Sequence, residues 1–272
     1  MEILLIAFVF GTLFGSFLNV VILRIPKEES VVFKASHCSS CGTPLRAWHN
    51  IPLFSWIFLA GKCSFCKSKI SAQYPLIELT SGLIFLALVA KLGVGLPTLL
   101  IGFSFLTLLA LSMIDFKYKM IPDSLNILAI VFAVFGAWSL SGLLLNLTNA
   151  LIFAGGFTLL RFILSYYLTS SVYRAGLKTK TSWNRHYDRT PFLEAMGEGD
   201  IMVGATMGAL LGVKLTLVAI FLSALLALPI MLLVLKKSKE EQRVPFVPFL
   251  ALATFIVYMY DSQIMTYIQA NY

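Results

Sequence analysis

Two acidic residues, Asp115 and Asp200, stand where a carboxylate calls for a functional explanation. Each lies at the border of a long apolar run, and a charged group in or beside membrane hydrocarbon is energetically costly. Asp115 is at the C-terminal end of its run, where the helix dipole disfavours an anion. Asp123, by contrast, follows Pro122 at an expected helix start, where negative charge is favoured, so we interpret Asp123 as structural.

Asp200 ends the segment Gly197-Glu198-Gly199-Asp200. Glycines permit a close approach of the backbone to another element, although a simple loop turn is the alternative explanation. Three glycines at four-residue intervals follow and would form a smooth helix face for close packing: Gly204, Gly208 and Gly212. We expect this packing to bring Asp200 toward Asp115.

Two carboxylates held a few ångströms apart cannot both ionise easily, so they share a proton. One carboxylate can then activate water as a base while the other donates a proton to a scissile carbonyl. The predicted pair, Asp115 and Asp200, therefore indicates the chemistry of an aspartic protease.

Four cysteines form two C-x-x-C motifs separated by residues 42–62: Cys38, Cys41, Cys63 and Cys66. Four thiolates at this spacing can surround one tetrahedral zinc, which would stabilise a segment too small to have a core. Two disulfides are the alternative, but cytoplasmic thiols are kept reduced. No βαβ pattern supports a thioredoxin-like role, and His37 and His49 are expected to be bystanders.

The elements that must position these residues are membrane helices. Of the 272 residues, 58% are hydrophobic and 12% charged, with a mean hydropathy of +0.87, whereas soluble domains carry about 25% charged residues. We predict an all-α polytopic membrane protein with about eight spans: residues 2–23, 74–92, 97–115, 121–140, 146–167, 200–213, 215–235 and 246–268. The first predicted span, 2–23, lacks the basic start and the cleavage site of a signal peptide, so we interpret it as a true span. A turn near Gly212 and Lys214 is expected to divide residues 201–235 into a helical hairpin.

The distribution of positive charge predicts the orientation, because basic loops remain in the cytoplasm. With the N-terminus outside, 18 of the 21 lysines and arginines fall in inside loops or at their borders. This topology accounts for the net charge of +8 better than a nucleic-acid surface does. We therefore divide the chain into a first helix (1–24), a cytoplasmic zinc module (25–73) and a membrane catalytic domain (74–272) with a cytoplasmic loop at about 168–199.

In several segments the chain resembles the type IV prepilin peptidase family. They include the two cysteine motifs, Asp115 with Ile121-Pro122-Asp123, Gly197-Glu198-Gly199-Asp200, Gly15-Ser16-Phe17-Leu18-Asn19-Val20-Val21, Asn50-Ile51-Pro52-Leu53-Phe54-Ser55-Trp56, Tyr74-Pro75-Leu76-Ile77-Glu78-Leu79 and Pro245-Phe246-Val247-Pro248-Phe249-Leu250-Ala251. The chain departs from the family pattern at Ser39-Ser40, at Met202 and in a long polar loop before Glu194, which contains Trp183, His186 and Tyr187.

The resemblance implies that Asp115 and Asp200 are the catalytic pair and that the four cysteines bind a structural zinc. It implies an enzyme of the bacterial inner membrane that cleaves the leader of type IV prepilins or pseudopilins, after a glycine, at the cytoplasmic face. Many members also methylate the new N-terminus with S-adenosylmethionine, although no methyl-donor motif is visible here. From the residues alone, an ion- or proton-coupled transporter and a zinc-bearing scaffold of a secretion assembly remain alternatives.

Overall fold

A computed structural model describes residues 1–33, 36–174, 197–237 and 245–271. In these ranges the chain is helical and forms no strand, only two isolated β-bridges, which confirms the predicted all-α class. The helices are α1 (Glu2–Arg24), α2 (Phe54–Phe58), α3 (Gln73–Leu92), α4 (Leu96–Tyr118), α5 (Asp123–Gly136), α6 (Trp138–Ser141), α7 (Leu143–Arg174), α8 (Glu198–Lys237), α9 (Val247–Met259) and α10 (Asp261–Asn271).

The first two long helices, α1 and α3, pack along each other at very short range. Small residues make this possible, since a Cβ added to Gly11 would lie 2.4 Å from the carbonyl oxygen of Ser81. One turn further on, a Cβ on Gly15 would lie 2.8 Å from the Ser81 side chain. Asn19 joins the pair by donating from Nδ2 to the carbonyl oxygen of Tyr74 at 3.2 Å.

The centre of the bundle is α4, which contacts α1, α3, α5 and α9. Its fully buried side chains include Ile101, Leu108, Leu111 and Ile114. Successive members of this set are seven, three and three residues apart, and they reach neighbours on several sides because the helix is apolar all round. The same helix carries Asp115 near its C-terminal end.

The predicted count of eight spans is not confirmed. In the described ranges, five helices are long and apolar enough to cross a membrane, or six if the bent pair α9 and α10 counts as one. The helix α5, predicted as a span over 121–140, has only 14 residues and is about 21 Å long, shorter than the roughly 30 Å hydrocarbon core.

The predicted last span, 246–268, is also interrupted, because α9 and α10 meet at an angle of 77°. Lys91, at the end of α3, donates to the carbonyl oxygen of Tyr258 and forms a 2.7 Å ion pair with Asp261. Asp261 begins a new helix, where a negative charge is favoured. These contacts stabilise the corner, which a hydropathy pattern does not reveal.

The turn predicted near Gly212 is present. Gly212 has φ 70° and ψ 178°, a non-helical conformation that interrupts α8. The Thr216 hydroxyl donates both to the carbonyl oxygen of Gly212 and, at 3.2 Å, to that of Met207, nine residues earlier. In a straight helix residues nine apart are separated by about 13.5 Å, so the chain must reverse direction here.

The glycine stripe on the first arm of α8 does allow close packing, but its partner is α7. A Cβ on Gly204 would lie 3.0 Å from the ring of Phe157, and one on Gly208 would lie 2.6 Å from the carbonyl oxygen of Asn149. The stripe therefore contacts α7 and not α4, the helix that carries Asp115. The glycines fix α8 against α7, and other residues guide Asp200.

The close packing of α1 on α3 predicts a stability difference between two glycine substitutions. Gly11→Ala places a methyl group against the α3 backbone, and such overpacking costs about 1–3 kcal/mol. Gly155→Ala is the matched control, because a Cβ there meets nothing within 4 Å. We expect a lower thermal midpoint in detergent for Gly11→Ala and an unchanged or higher one for Gly155→Ala. Equal midpoints would show that the helices are not packed this closely.

Candidate active site and cysteine cluster

Asp115 is a buried carboxylate held by the start of another helix. It lies one turn before the end of α4, which closes at Lys119 in a left-handed conformation. Its Oδ2 accepts a hydrogen bond of 3.1 Å from the backbone N–H of Val247, and the N–H of Phe246 also donates to the carboxylate. Because Pro248 has no N–H, these two donors are among the few that the N-terminus of α9 offers, and Asp115 satisfies them.

Asp200 lies in the first turn of α8, where the helix dipole favours a carboxylate. It accepts a hydrogen bond from the backbone N–H of Gly197, which fixes the side chain at the helix start, as the acidic partner of a capping box does. The side chain of Asp200 is half-buried, and that of Asp115 is buried.

The turn between α4 and α5 positions Asp200. A Cβ on Gly199 would lie 2.5 Å from the Cβ of Ile121, so only glycine allows this approach. One turn into α5, the fully buried Asn126 donates from Nδ2 to the carbonyl oxygen of Gly199 at 3.4 Å. The start of α8 is thereby held against the segment that follows Asp115 in the sequence.

The structure therefore places both predicted site residues at the same end of the bundle, near enough for the charges of Asp115 and Asp200 to interact. Two further helices complete the arrangement, since α9 packs on α4 and α8, and α5 packs on the same two helices. Two close carboxylates in a region of low dielectric favour a singly protonated pair. Such a pair can act as acid and base on one water molecule.

The acids that accompany Asp115 and Asp200 in their sequence motifs, Asp123 and Glu198, are exposed and are not part of the carboxylate pair. Glu198 is 77% exposed in its side chain and forms a 2.9 Å ion pair with Arg161 of α7. Asp123 is exposed at the first position of α5, and its structural role stays a prediction. The part of the predicted loop formed by residues 175–196, with Trp183, His186, Tyr187 and Glu194, lies outside the described residues.

The four cysteines converge on one point as free thiols, with their Sγ atoms all within 4.8 Å of one another. The Sγ atoms of Cys38 and Cys66 are 3.8 Å apart. Four sulfurs at about 2.3 Å from a zinc ion would be separated by about 3.8 Å in a tetrahedron. The donor set and its dimensions therefore fit a tetrahedral metal ion, and no disulfide forms among them.

The local backbone favours the thiolate form of Cys38 and Cys66, whereas burial and the neighbouring Cys38 and Cys66 side chains raise the pKa of the Cys63 thiol. Hydrogen bonds from the backbone N–H groups of Cys41 and Ser40 lower the pKa of the Cys38 thiol to about 6. The Ser68 hydroxyl and its backbone N–H lower the pKa of the Cys66 thiol. Metal ligation requires the thiolate form. His49 contacts the Arg46 backbone and Trp48, as expected of a bystander.

The cysteine module, residues 25–73, is attached to the membrane helices close to the aspartates. The backbone N–H of Leu53 donates to Oε2 of Glu78, a buried residue of α3, at 2.7 Å. Tyr74, at the start of α3, is near enough to interact electrostatically with both Cys38 and Tyr118. Tyr118 is three residues after Asp115 on α4, so the module and the carboxylate pair lie at the same end of the bundle.

Sequence reasoning missed the residues that hold the pair together. Val247 acts through its backbone N–H, which is not a property of its side chain, and Asn126 is a single polar residue in an apolar run. The signals that could have found them were Pro248, typical of a helix start, and the cost of burying an amide without a partner. Glu78 carried a similar signal as an acid within a span.

Comparisons with known proteins identify the family of this chain. The model of the bacterial peptidase A24 N-terminal domain matches residues 9–92, and that of the type IV leader peptidase family matches residues 100–232. A prepilin leader peptidase/N-methyltransferase of Aeromonas hydrophila is 30% identical, covering 98% of this chain and 94% of the relative. Proteins of the same description from Stutzerimonas stutzeri and Neisseria gonorrhoeae are each 32% identical, covering 96% and 95% of this chain and 91% of each relative. No solved structure matches.

The cysteine geometry predicts one bound metal ion per chain. We expect protein purified without chelator to contain one equivalent of zinc by elemental mass spectrometry, and Cys63→Ser with Cys66→Ser to lose it, because two thiolates remain. The matched control is Ser64→Ala, which alters a neighbouring residue of the same motif and should retain the metal. Zinc-free wild-type protein, or full zinc content in the double variant, would contradict the assignment.

Proposed function

This chain belongs to the type IV leader peptidase family, and we propose that it cleaves the leader peptides of type IV prepilins or pseudopilins and methylates the new N-terminus. The names of its relatives support both activities. The observation in the structure that best supports proteolysis is the juxtaposition of Asp115 and Asp200 at one end of the helix bundle. The transporter and scaffold alternatives are not favoured by these relatives.

In the proposed mechanism, Asp115 and Asp200 hold one water molecule between them and share one proton. The ionised carboxylate removes a proton from the water as its oxygen attacks the scissile carbonyl carbon. The protonated carboxyl donates its proton to the carbonyl oxygen, giving a neutral tetrahedral intermediate. Collapse of this intermediate breaks the C–N bond, and a proton passes to the leaving nitrogen, so the leader ends in a carboxylate and the product begins with an amine.

The proposed substrate fits the location of the pair. A prepilin presents a basic leader followed by an apolar helix, so its scissile bond lies where water and lipid meet. Asp115 is near the end of one apolar helix and Asp200 near the beginning of another, which supports a position at such a border. We propose that this is the cytoplasmic face of the inner membrane, where 18 of the 21 basic residues are expected.

Methylation is proposed to act on the amine that cleavage releases. The donor, S-adenosylmethionine, would supply an electrophilic methyl group, and the residues that bind it are unassigned. The cysteine module lies beside the end of α4 through Tyr74, so the new N-terminus would be released next to it. We propose that Cys38, Cys41, Cys63 and Cys66 hold a structural zinc that gives the module its fold.

Loss of either proposed catalytic carboxylate should abolish cleavage. We expect Asp115→Asn and Asp200→Asn to reduce the rate of prepilin processing in membranes by at least about 100-fold, because each removes one partner of acid–base catalysis. The N-terminus of the substrate, identified by mass spectrometry with and without methyl donor, reports cleavage and methylation in one spectrum.

The matched control for these variants is Asp123→Asn, which alters an exposed acid of the same motif and should process prepilin at close to the wild-type rate. All three proteins should insert in the membrane in equal amounts. Processing at the wild-type rate by both Asp115→Asn and Asp200→Asn would remove the protease proposal.

The glycines before Asp200 should differ in their effect on cleavage. Gly199→Val forces a branched side chain into Ile121, 2.5 Å from the position of its Cβ, and would displace Asp200. A displacement of about 1 Å in a catalytic group can cost about 100-fold in rate. Gly197→Ala is the control, since its Cβ would lie at an ordinary 3.6 Å from Asp200. We expect processing to fail only in Gly199→Val, and equal rates would show that Ile121 does not guide Asp200.

A further inference from the structure

The cysteine module exposes three large apolar side chains on one face of the short helix α2. Phe54, Ile57 and Phe58 are 61%, 63% and 83% exposed. Their spacing of three and four residues puts them on the same side of the helix, and the rings of Phe54 and Phe58 are stacked with centroids 6.5 Å apart. A contiguous apolar patch of this kind is typical of an interaction surface.

The opposite face of α2 is attached to the module, so this orientation is fixed. The indole N–H of Trp56 donates to the carbonyl oxygen of Ile70 at 3.4 Å, and its ring lies against Gly61, where a Cβ would be 2.9 Å away. The helix cannot rotate to bury Phe54, Ile57 and Phe58 without breaking these contacts.

The hydrogen bond between Leu53 and Glu78 determines the depth of α2. The helix α3 has 20 residues and a length of about 30 Å, just enough to cross the hydrocarbon core. Glu78 is five residues from its start, about 7.5 Å along the axis, and side chains in a helix lean toward its N-terminus. The N–H of Leu53, 2.7 Å from this carboxylate, therefore lies at the rim of the bilayer, and α2 begins at the next residue.

We propose that the face formed by Phe54, Ile57 and Phe58 is a membrane-binding surface, inserted at the boundary between lipid headgroups and acyl chains. Phe, Trp and Leu are typical of helix faces that insert at this depth, and such faces are accompanied by Lys and Arg on the polar side. The module supplies such residues in Arg46, Lys62, Lys67 and Lys69, which attract anionic headgroups.

Exposed apolar side chains of α3 reach the level at which α2 begins. Leu76, Leu79 and Leu83 are exposed along α3, and Leu76 lies in its first turn, near the height of Leu53. In a membrane these positions contact lipid, so lipid surrounds α3 at that height. This inference does not depend on the chemistry of Asp115 and Asp200.

Photo-crosslinking identifies the occupant of the surface directly. We would replace Phe58, and separately Phe54, with p-benzoylphenylalanine, which keeps an aromatic side chain at an exposed position, and irradiate the full chain in vesicles of phosphatidylethanolamine and phosphatidylglycerol. The matched control is the same substitution at Phe65, an exposed aromatic of the module outside α2. Peptide mass spectrometry then reports what each position has bound.

We expect phospholipid adducts at positions 58 and 54 at about five times the yield at position 65 or more, because only the α2 face lies within the lipid boundary. Adducts joining these positions to residues 175–196 or to a second copy of the chain would overturn the proposal in favour of a protein partner. Lipid adducts no more abundant at 54 and 58 than at 65 would overturn it as well.

Discussion

The burial of the Asp115 carboxylate is the constraint on which the site depends. A charge within a packed helix bundle is tolerated only where polar groups replace water. Here the replacement comes from the N-terminus of α9, whose Phe246 and Val247 N–H groups donate to the carboxylate. The position of α9 is thus tied to the carboxylate at the end of α4. Pro248, the residue after Val247, has no backbone N–H and therefore does not compete as a donor.

The second carboxylate, that of Asp200, is held in position by packing and not by attraction to Asp115, since two negative charges repel. Gly199 against Ile121 and the Asn126 amide on the Gly199 carbonyl hold the start of α8 in place, and the glycines of α8 fix its body to α7. Apolar contacts and hydrogen bonds to the backbone can oppose the repulsion between the two acids, and a shared proton, as proposed, would reduce that repulsion. The cysteine module is joined to the same rim through Leu53 and Glu78, so the proposed cleavage and methylation would occur at neighbouring places.

Sequence reasoning predicted the all-α class, the convergence of the four cysteines and the turn at Gly212, because hydropathy, motif spacing and glycine are local signals. It did not predict that α5 is short or that the chain bends after Met259. The bend is stabilised by the contact of Lys91 with Asp261, which are 170 residues apart in the sequence. It predicted that the glycine stripe allows close packing but not that α7 is the partner, because spacing shows that a helix face is smooth but not which helix covers it. The donors to Asp115 escaped notice because they are backbone groups from 130 residues away in the sequence, a separation that no periodicity reports.

The central claim is that Asp115 and Asp200 act together on one water molecule. Its most direct test is an experimental structure of the chain in lipid with a prepilin-derived peptide whose scissile bond is replaced by a hydroxyl-bearing tetrahedral isostere. The account predicts that both carboxylates lie within hydrogen-bond distance of that hydroxyl, with Val247 still donating to Asp115. A complex in which the hydroxyl contacts only one of them, with the other turned away across the bundle, would contradict it.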